Sequence, residues 1–205
     1  MIIKICGLSD VTSAVFAAEQ GADLLGFVFA ESTRRVTPEQ ARGIIDEIPS
    51  AVSKVGVFVN EDHSLINEIT EFCGLDMVQL HGRETPEQCR EISVPVIKGI
   101  RIKDDNSLED MACFQDCVEM FVLDTYVPGA AGGTGKVFDW NTALRGAAYG
   151  RILLAGGLTP ENVCRAIGAA KPFGVDVSSG VESCGKKDLH KIEAFIASVR
   201  GLKNV

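Results

Sequence analysis

Eight short apolar runs recur along the chain, and they limit its fold more than any other feature of the sequence. The runs are rich in Val, Ile and Phe, which is typical of buried strands. They cover residues 2–5, 24–29, 55–59, 77–80, 94–100, 120–123, 152–155 and 173–177. Segments with helical spacing lie between them, at residues 11–20, 38–47, 64–72, 86–92, 160–170 and 189–199. This alternation predicts parallel strands that are joined by helical crossovers.

Three of the helical segments begin with the same tripeptide, Thr-Pro-Glu. Thr37, Thr85 and Thr159 each precede a proline and a glutamate. A threonine hydroxyl caps a helix N-terminus, proline suits the first helical position, and an acid is favoured at the positive end of the helix dipole. The tripeptide therefore predicts a repeated unit in which a strand is followed by a helix.

The number of units separates a closed barrel from an open sheet. The 205 residues divide into about 26 per unit, near the lower limit for a (β/α)8 barrel. An open doubly wound sheet usually carries a glycine-rich dinucleotide fingerprint, and the chain has no G-x-G-x-x-G. We therefore predict an α/β fold, a (β/α)8 TIM barrel in which residues 1–205 form a single domain. The helical signal is weakest at residues 104–116.

Charge, hydropathy and cysteine content limit the kinds of binding partner and the cellular compartment that we expect for the protein. The formal net charge of -8 argues against nucleic acid as a partner, because phosphate-backbone binding needs clustered cations. No apolar stretch is long enough to span a bilayer, so we expect no membrane partner. The seven cysteines are odd in number and include no C-x-x-C pair, which predicts free thiols in a reducing cytoplasm and no metal site.

The residues that follow the strands carry the functional information, because TIM-barrel sites form at the carboxyl ends of the strands. In the first six units these residues are Cys6, Arg34, Asn60, His81, Arg101 and Asp124. Cys6 on the first strand and Asp124 on the sixth would face each other across the mouth of the barrel. A thiolate and a carboxylic acid in this arrangement suit removal of a proton from carbon and delivery of a proton to oxygen.

Base function in Cys6 requires stabilisation of its thiolate. Because side chains alternate along a strand, Lys4 lies on the same face as Cys6 and would point into the barrel. A buried lysine needs a partner, and Asp176 on the neighbouring eighth strand is the expected one. We therefore expect Lys4 and Asp176 to form an ion pair beneath Cys6 and to stabilise its thiolate.

Two glycine-bearing turns follow the seventh and eighth strands. Gly156 and Gly157 stand in the first turn, and Ser178 and Ser179 precede a glycine in the second. Backbone N–H groups of these two loops often bind phosphate in TIM barrels. The four residues therefore predict a phosphate site for a small anionic partner.

Two other features have more than one interpretation. His81 fits a structural histidine as well as a substrate contact, and its position at a strand end favours the contact. Arg34 and Arg35 form a basic pair that suits either a solvated loop or an anchor for a carboxylate or phosphate.

A glycine-rich segment at residues 132–136 looks like a nucleotide-binding P-loop. The motif needs Gly at position 130 and Ser or Thr at position 137, where the chain has Ala130 and Val137. We therefore predict that residues 127–136 form a loop after the sixth strand. This loop suits either a cover for the mouth of the barrel, with Lys136 near an anion, or a solvated flexible segment.

Nine short motifs along the chain occur in an order that matches a known family. They are Lys4-Ile5-Cys6-Gly7, Gly26-Phe27-Val28-Phe29, Ser32-Thr33-Arg34-Arg35-Val36, Val55-Gly56-Val57-Phe58-Val59, Val78-Gln79-Leu80-His81-Gly82, Leu123-Asp124, Gly133-Thr134-Gly135-Lys136 with Phe138-Asp139-Trp140, Ala155-Gly156-Gly157-Leu158, and Val175-Asp176-Val177-Ser178-Ser179-Gly180-Val181-Glu182. At all nine the chain resembles the phosphoribosylanthranilate isomerase family of tryptophan biosynthesis.

The resemblance implies a cofactor-free Amadori rearrangement of N-(5-phosphoribosyl)anthranilate to 1-(2-carboxyphenylamino)-1-deoxyribulose 5-phosphate. It implies that Asp124 is the general acid, which protonates the ring oxygen, and that Cys6 is the general base, which removes the C2 proton. Arg34 falls where the family places an anchor for anthranilate. The remaining matches are pocket positions at His81 and Asp176 and a phosphate cradle at Gly156, Gly157, Ser178 and Ser179.

The sequence departs from the family pattern at Ser32-Thr33-Arg34, where the family commonly has Pro between Ser and Arg. A second arginine, Arg35, follows, which leaves open which of the two reaches the substrate. The spacing to Val36 and Pro38 favours Arg34.

Two other functions remain as alternatives. The related aldose–ketose isomerase of histidine biosynthesis uses aspartate where Cys6 stands and has two phosphate cradles, whereas the loops after strands 3 and 4 contain only one glycine, Gly82. A non-catalytic phosphosugar-binding barrel would keep the loop glycines and lose the acid–base pair. We expect a phosphosugar substrate, and a chain that is a monomer or a weak homodimer.

Overall fold

Eight parallel strands form a closed barrel in sequence order in the computed structural model, which describes residues 1–102, 105–125 and 140–202. The strands are β1 (Ile2–Cys6), β2 (Leu24–Val28), β3 (Ser53–Phe58), β4 (Met77–Leu80), β5 (Val96–Ile102), β6 (Met120–Thr125), β7 (Ile152–Leu154) and β8 (Gly174–Val177). Pairing of β8 with β1 closes the ring. The predicted TIM barrel is confirmed, and each observed strand overlaps one of the predicted apolar runs.

Helical segments follow the strands and cover the outside of the barrel. They are α1 (Val11–Glu19), α2 (Pro38–Ile45), α3 (His63–Cys73), α4 (Pro86–Arg90), α5 (Trp140–Gly146), α6 (Val163–Ala170) and α7 (Leu189–Arg200). A 3-10 helix at Asp105–Phe114 follows β5, where the sequence has its weakest helical signal. α5 lies outside the segments that the spacing predicts. Among the described residues, no helix is both long enough and apolar enough to cross a membrane.

Two of the three predicted threonine caps are confirmed. The hydroxyls of Thr37 and Thr85 each accept a hydrogen bond from the backbone N–H three residues later, with proline in the first turn. The prediction for Thr159 is wrong, because α6 begins at Val163 with Asn162 at its N-cap. The Asn162 side chain instead accepts from the Thr159 N–H at 2.9 Å and donates to the Gly157 carbonyl at 2.8 Å, which ties this turn to the loop after β7.

Buried apolar side chains fill the barrel from its amino end. A cluster separate from the larger core between strands and helices consists of Leu24, Val55, Met77, Ile97, Met120, Val122, Leu153 and Ala155. Side-chain alternation places the polar residues Lys4, Gln79 and Asp176 farther along the strands, and all three are buried. The barrel interior therefore changes from apolar to polar towards the carboxyl ends of the strands.

A buried ion pair anchors the loop that follows β4. Lys98 Nζ lies 2.7 Å from Glu84 Oε2 and donates to the Gly82 carbonyl at 3.0 Å. Glu84 also accepts from the backbone N–H groups of Asn60 at 2.7 Å and Gly82 at 2.9 Å. Although burial raises it, the positive charge of Lys98 holds the pKa of Glu84 below its usual value of 4.5. The pair therefore fixes the loop next to His81.

Replacement of Lys98 by Met is expected to destabilise the protein by about 3–5 kcal/mol, because it leaves a buried carboxylate without its cation. Glu84 has a lowered pKa in the folded state, so its contribution is present above pH 4.5 and is lost as the pH falls through its folded pKa. Urea unfolding at neutral pH and near pH 4 measures both effects.

The control for Lys98→Met is Arg90→Met, which breaks an exposed pair with Glu87 at 3.6 Å and is expected to cost less than about 1 kcal/mol. The double variant Lys98→Met/Glu84→Gln removes the buried charge and should recover part of the loss. Equal stability of the two single variants would contradict the prediction.

A two-stranded hairpin follows β8 and lies outside the predicted elements. Its strands are β9 (Glu182–Ser183) and β10 (Lys186–Lys187). The turn residues Cys184 and Gly185 have φ angles of 51° and 76°. A two-residue hairpin turn with positive φ at both positions is of type I′, for which Asn-Gly is the usual sequence signal. The Cys-Gly pair gave no such signal.

Candidate active site

A pocket opens at the carboxyl ends of the strands, and the structure brings the nine predicted site residues together around it. Those residues are Cys6, Arg34, His81, Asp124, Gly156, Gly157, Asp176, Ser178 and Ser179. Three other residues at strand ends or in the basic pair do not line this pocket: Arg35, Asn60 and Arg101. The apolar part of the wall includes Val28, Val57 and Val59. The pocket thus combines titratable groups, two glycine-bearing turns and an apolar surface.

The expected ion pair between Lys4 and Asp176 is confirmed. Lys4 Nζ lies 3.1 Å from both carboxylate oxygens, and the Lys4 side chain is fully buried. A Cβ atom on Gly26 of β2 would lie 2.8 Å from Cys6 Sγ and 3.2 Å from Lys4 Nζ. The absence of a side chain at Gly26 therefore allows the thiol and the ammonium group to share this space.

The titration of Cys6 differs from the expected stabilised thiolate. Burial raises the pKa of the Cys6 thiol above its usual value of 9.0. Lys4 and Lys187 lower it, and the Asp176 carboxylate raises it, but burial has the largest effect. Burial also lowers the pKa of Lys4, whereas the negative charges of Asp176 and of the Cys6 thiolate outweigh burial and hold that pKa above 10.5. At neutral pH the free protein therefore carries a Cys6 thiol above a charged Lys4.

His81 connects β4 to Asp124 on β6. Its Nε2 atom lies 3.6 Å from Asp124 Oδ2, while the Gln79 amide nitrogen donates to its Nδ1 at 3.0 Å. Nε2 is therefore the ring nitrogen that faces the carboxylate. The second oxygen, Asp124 Oδ1, accepts from the Thr125 N–H at 2.8 Å. Oδ2 is therefore the oxygen that is available to the pocket.

The imidazole of His81 lies against the backbone of β5 at Gly99. A Cβ atom at position 99 would collide with the ring at Nδ1. Gly99 thus provides the space for the ring in the same way that Gly26 provides it for the thiol.

Arg34 is held by Glu182 of the hairpin. Its Nε and Nη2 atoms donate to the two carboxylate oxygens at 2.6 and 2.8 Å. The hydrogen bonds to Glu182 raise the pKa of Arg34, so the guanidinium stays charged. Arg34 lines the pocket, whereas Arg35 is exposed and does not. Of the two arginines, Arg34 is therefore the one that faces the pocket.

The loops after β7 and β8 lie side by side at the pocket. Gly156 and Gly157 have φ angles of 82° and 68°, which favour glycine at both positions. In the next loop Gly180 packs against the Leu158 carbonyl, and the short 3-10 turn Ser179–Val181 begins at the pocket. The two turns thus bring backbone groups and hydroxyl groups to the same side of the pocket.

Sequence reasoning missed three polar residues of the site: Gln79, Glu182 and Lys187. Lys187 Nζ lies 2.7 Å from Glu182 and 3.0 Å from the Ser178 carbonyl, and its side chain is 2% exposed. The signal for Gln79 was available, since it lies two residues before His81 and so on the same face of the strand. The predicted covering loop at 127–136, with Lys136, lies outside the described residues. Within the described ranges, no group of three His, Cys, Asp or Glu side chains could hold a metal ion.

The fold and the pocket define a TIM-barrel enzyme whose titratable side chains gather at the carboxyl ends of the strands. The model of the N-(5'phosphoribosyl)anthranilate (PRA) isomerase family matches residues 3–198. The chain therefore belongs to this family.

Individual relatives agree with this assignment over nearly the whole chain. The N-(5'-phosphoribosyl)anthranilate isomerase of Pelobacter propionicus is 50% identical over 196 residues, which are 95% of this chain and 93% of the relative. The crystal structure of phosphoribosyl anthranilate isomerase from Thermotoga maritima has a TM-score of 0.91 and 43% identity, covering 98% of this chain and 100% of that one. A structure of the enzyme with reduced 1-(o-carboxyphenylamino)-1-deoxyribulose 5-phosphate has a TM-score of 0.88 and 40% identity, with coverage of 98% and 100%.

Proposed function

We propose that the protein isomerises N-(5-phosphoribosyl)anthranilate to 1-(2-carboxyphenylamino)-1-deoxyribulose 5-phosphate in tryptophan biosynthesis. The observation that carries this proposal is the presence of Cys6 and Asp124 in one pocket with the two glycine-bearing loops. Family membership supports it. The reaction moves hydrogen within one molecule and leaves its overall oxidation state unchanged, so the proposal needs no cofactor.

Ring opening is the first step, with Asp124 as the general acid. The protonated carboxyl group delivers its proton from Oδ2 to the ring oxygen of the ribose as the bond from that oxygen to C1 breaks. The anthranilate nitrogen supplies its lone pair to C1, which gives a cationic Schiff base and a free hydroxyl. The hydrogen bond from Thr125 to Oδ1 keeps Oδ2 directed to the pocket.

Removal of the C2 proton is the second step, with Cys6 as the general base. The thiolate takes the proton, and the electrons of the C–H bond form a C1–C2 double bond and neutralise the Schiff base. The resulting enolamine tautomerises to the ketone. Burial disfavours the thiolate in the free protein, but the cationic Schiff base adds a positive charge next to Sγ and favours it during the reaction.

The other pocket residues hold the substrate. Arg34 binds the anthranilate carboxylate, and the apolar wall packs against the aromatic ring. His81 and Asp176 line the same pocket beside the two catalytic groups. The phosphate is held by the loops after β7 and β8, at Gly156, Gly157, Ser178 and Ser179.

The test is a fluorescence assay that follows consumption of phosphoribosylanthranilate by the wild-type protein. We expect turnover well above the uncatalysed rate. The bis-phosphorylated aldose substrate of histidine biosynthesis serves as the comparison. Turnover of only that compound would replace the proposal by the histidine-pathway isomerase, and phosphosugar binding without turnover of either would indicate a non-catalytic barrel.

The setting of the enzyme is also a proposal. We propose a single-domain barrel in the cytoplasm whose partner is the anionic phosphosugar, without nucleic acid or membrane. All seven cysteines are free, as a reducing compartment would leave them. The expected monomer or weak homodimer is distinguished by sedimentation at several protein concentrations.

A further inference from the structure

The hairpin β9–β10 contributes a buried glutamate and a buried lysine that contact residues lining the pocket. Glu182 binds Arg34 from the loop after β2, and Lys187 binds both Glu182 and the Ser178 carbonyl in the loop after β8. The Glu182 side chain is 8% exposed and that of Lys187 is 2% exposed. A continuous set of charged hydrogen bonds therefore joins the arginine to the glycine-bearing loop after β8.

Glu182 occupies one particular edge of the Arg34 guanidinium. A guanidinium has five N–H groups, and the edge formed by Nε and Nη2 is used in the pair with Glu182. No other side-chain hydrogen bond of Arg34 is found among the residues that the structure describes. The edge formed by Nη1 and the outer N–H of Nη2 is thus available to a planar, two-oxygen group.

The charges of these side chains also fit an Arg34 that binds Glu182 with one edge and an anion with the other. Although burial raises it, the hydrogen bonds from Arg34 and Lys187 hold the pKa of Glu182 below its usual value, so Glu182 is ionised. Burial lowers the pKa of Lys187, while its hydrogen bond to Glu182 opposes this effect. With Lys187 in its charged form, Arg34, Glu182 and Lys187 together carry one net positive charge. The set therefore attracts an anion even though Arg34 already has a carboxylate partner.

We propose that Glu182 is a positioning residue that orients Arg34 for end-on binding of the substrate carboxylate, with Lys187 holding Glu182 against the loop after β8. The inference rests on the proposed function, which supplies the anthranilate carboxylate as the ligand of Arg34. It adds a determinant of specificity that itself does not touch the substrate.

The test compares the affinities of two stable ligands by calorimetry. One is reduced 1-(o-carboxyphenylamino)-1-deoxyribulose 5-phosphate, and the other is the same molecule without its carboxyl group. The wild type should prefer the carboxylated ligand. In Glu182→Gln we expect this preference to fall by about tenfold, because the arginine loses its bidentate partner, while the affinity for the ligand without a carboxyl group stays the same.

Two variants accompany Glu182→Gln. Glu182→Asp keeps the charge with a shorter reach and should retain part of the preference. Glu193→Gln is the matched control on the exposed face of α7 and should change neither affinity. If Glu182→Gln does not fold, Glu182→Asp alone carries the test, and an unchanged preference in Glu182→Asp would then overturn the inference.

An equal loss of affinity for both ligands in Glu182→Gln would show a merely structural role and overturn the inference. So would a wild type that turns over phosphoribosylanthranilate but binds both ligands equally. That second result would leave the proposed function intact, whereas absence of turnover would contradict the proposed function separately.

Discussion

The Asp124→Asn variant is expected to lose about 100- to 10,000-fold in kcat for phosphoribosylanthranilate, the range that a general acid contributes. The amide has the size of the carboxyl group and can still accept the hydrogen bond from the Thr125 N–H, so the pocket keeps its shape. It has no acidic proton to deliver to the ring oxygen. KM should therefore change much less than kcat, and steady-state kinetics by fluorescence measures both.

The control for this variant is Asp110→Asn, the same replacement at an exposed position of the 3-10 helix. It should leave kcat and KM unchanged. Circular dichroism and the melting temperature verify that both variants are folded. Wild-type kcat in Asp124→Asn would refute the assignment of the general acid.

The Cys6→Ala variant is expected to lose a similar factor, about 100- to 10,000-fold in kcat, because no base remains to take the C2 proton. Lys4 cannot replace the thiolate, since its ion pair with Asp176 holds it in the charged form. Cys164→Ala, at an exposed thiol on α6, is the matched control and should have wild-type kinetics. Substantial activity in Cys6→Ala would mean that another group is the base.

The pH dependence follows from the raised pKa of the Cys6 thiol. A base acts only when deprotonated, and below its pKa the thiolate fraction falls about tenfold per pH unit. Lys4, Lys187 and Arg34 carry positive charges that favour the thiolate, Asp176 carries a negative charge that disfavours it, and burial outweighs them. The wild-type reaction also needs a general acid, which must be protonated and so favours lower pH, and the two requirements offset each other. The dependence on Cys6 is isolated in Asp124→Asn, whose remaining kcat/KM we expect to increase with pH through neutrality and beyond pH 8.

The double variant Cys6→Asp/Asp124→Asn tests the origin of this pH dependence. An aspartate has an unperturbed pKa of about 3.9, so the base of the double variant should be ionised at neutral pH and the remaining activity should be nearly independent of pH there. The difference between the two profiles is measured in the same buffers. A flat profile of Asp124→Asn between pH 6 and 9 would contradict the role of the buried thiol.

Local signals were sufficient for most of the barrel. Apolar runs and the Thr37 and Thr85 caps depend on residues that are close in sequence, and these features appear in the structure where the sequence predicts them. The predicted helix cap at Thr159 is absent because the Asn162 side chain forms hydrogen bonds with Thr159 and Gly157, and the helix begins after it. α5 was missed because its seven residues carry too little periodicity to be distinguished from a loop.

The site was predictable where strand geometry determines it. Alternation along β1 and the adjacency of β1 and β8 were enough to pair Lys4 with Asp176. The partner of Arg34 was not predictable, since Glu182 is 148 residues away and is brought in by a hairpin without a strong turn signal. The direction of the shift in the Cys6 pKa depends on a balance between burial and several nearby charges, and no sequence pattern gives that balance.

The strand glycines at positions 26 and 99 shape the pocket because they have no side chains that would fill it. Cys6 and His81 each occupy volume that an ordinary side chain on the neighbouring strand would fill. A library that varies the base or the imidazole alone therefore explores only what these two gaps accommodate. Redesign of the barrel towards other sugar phosphates has to treat positions 6 and 26, and positions 81 and 99, as two coupled pairs.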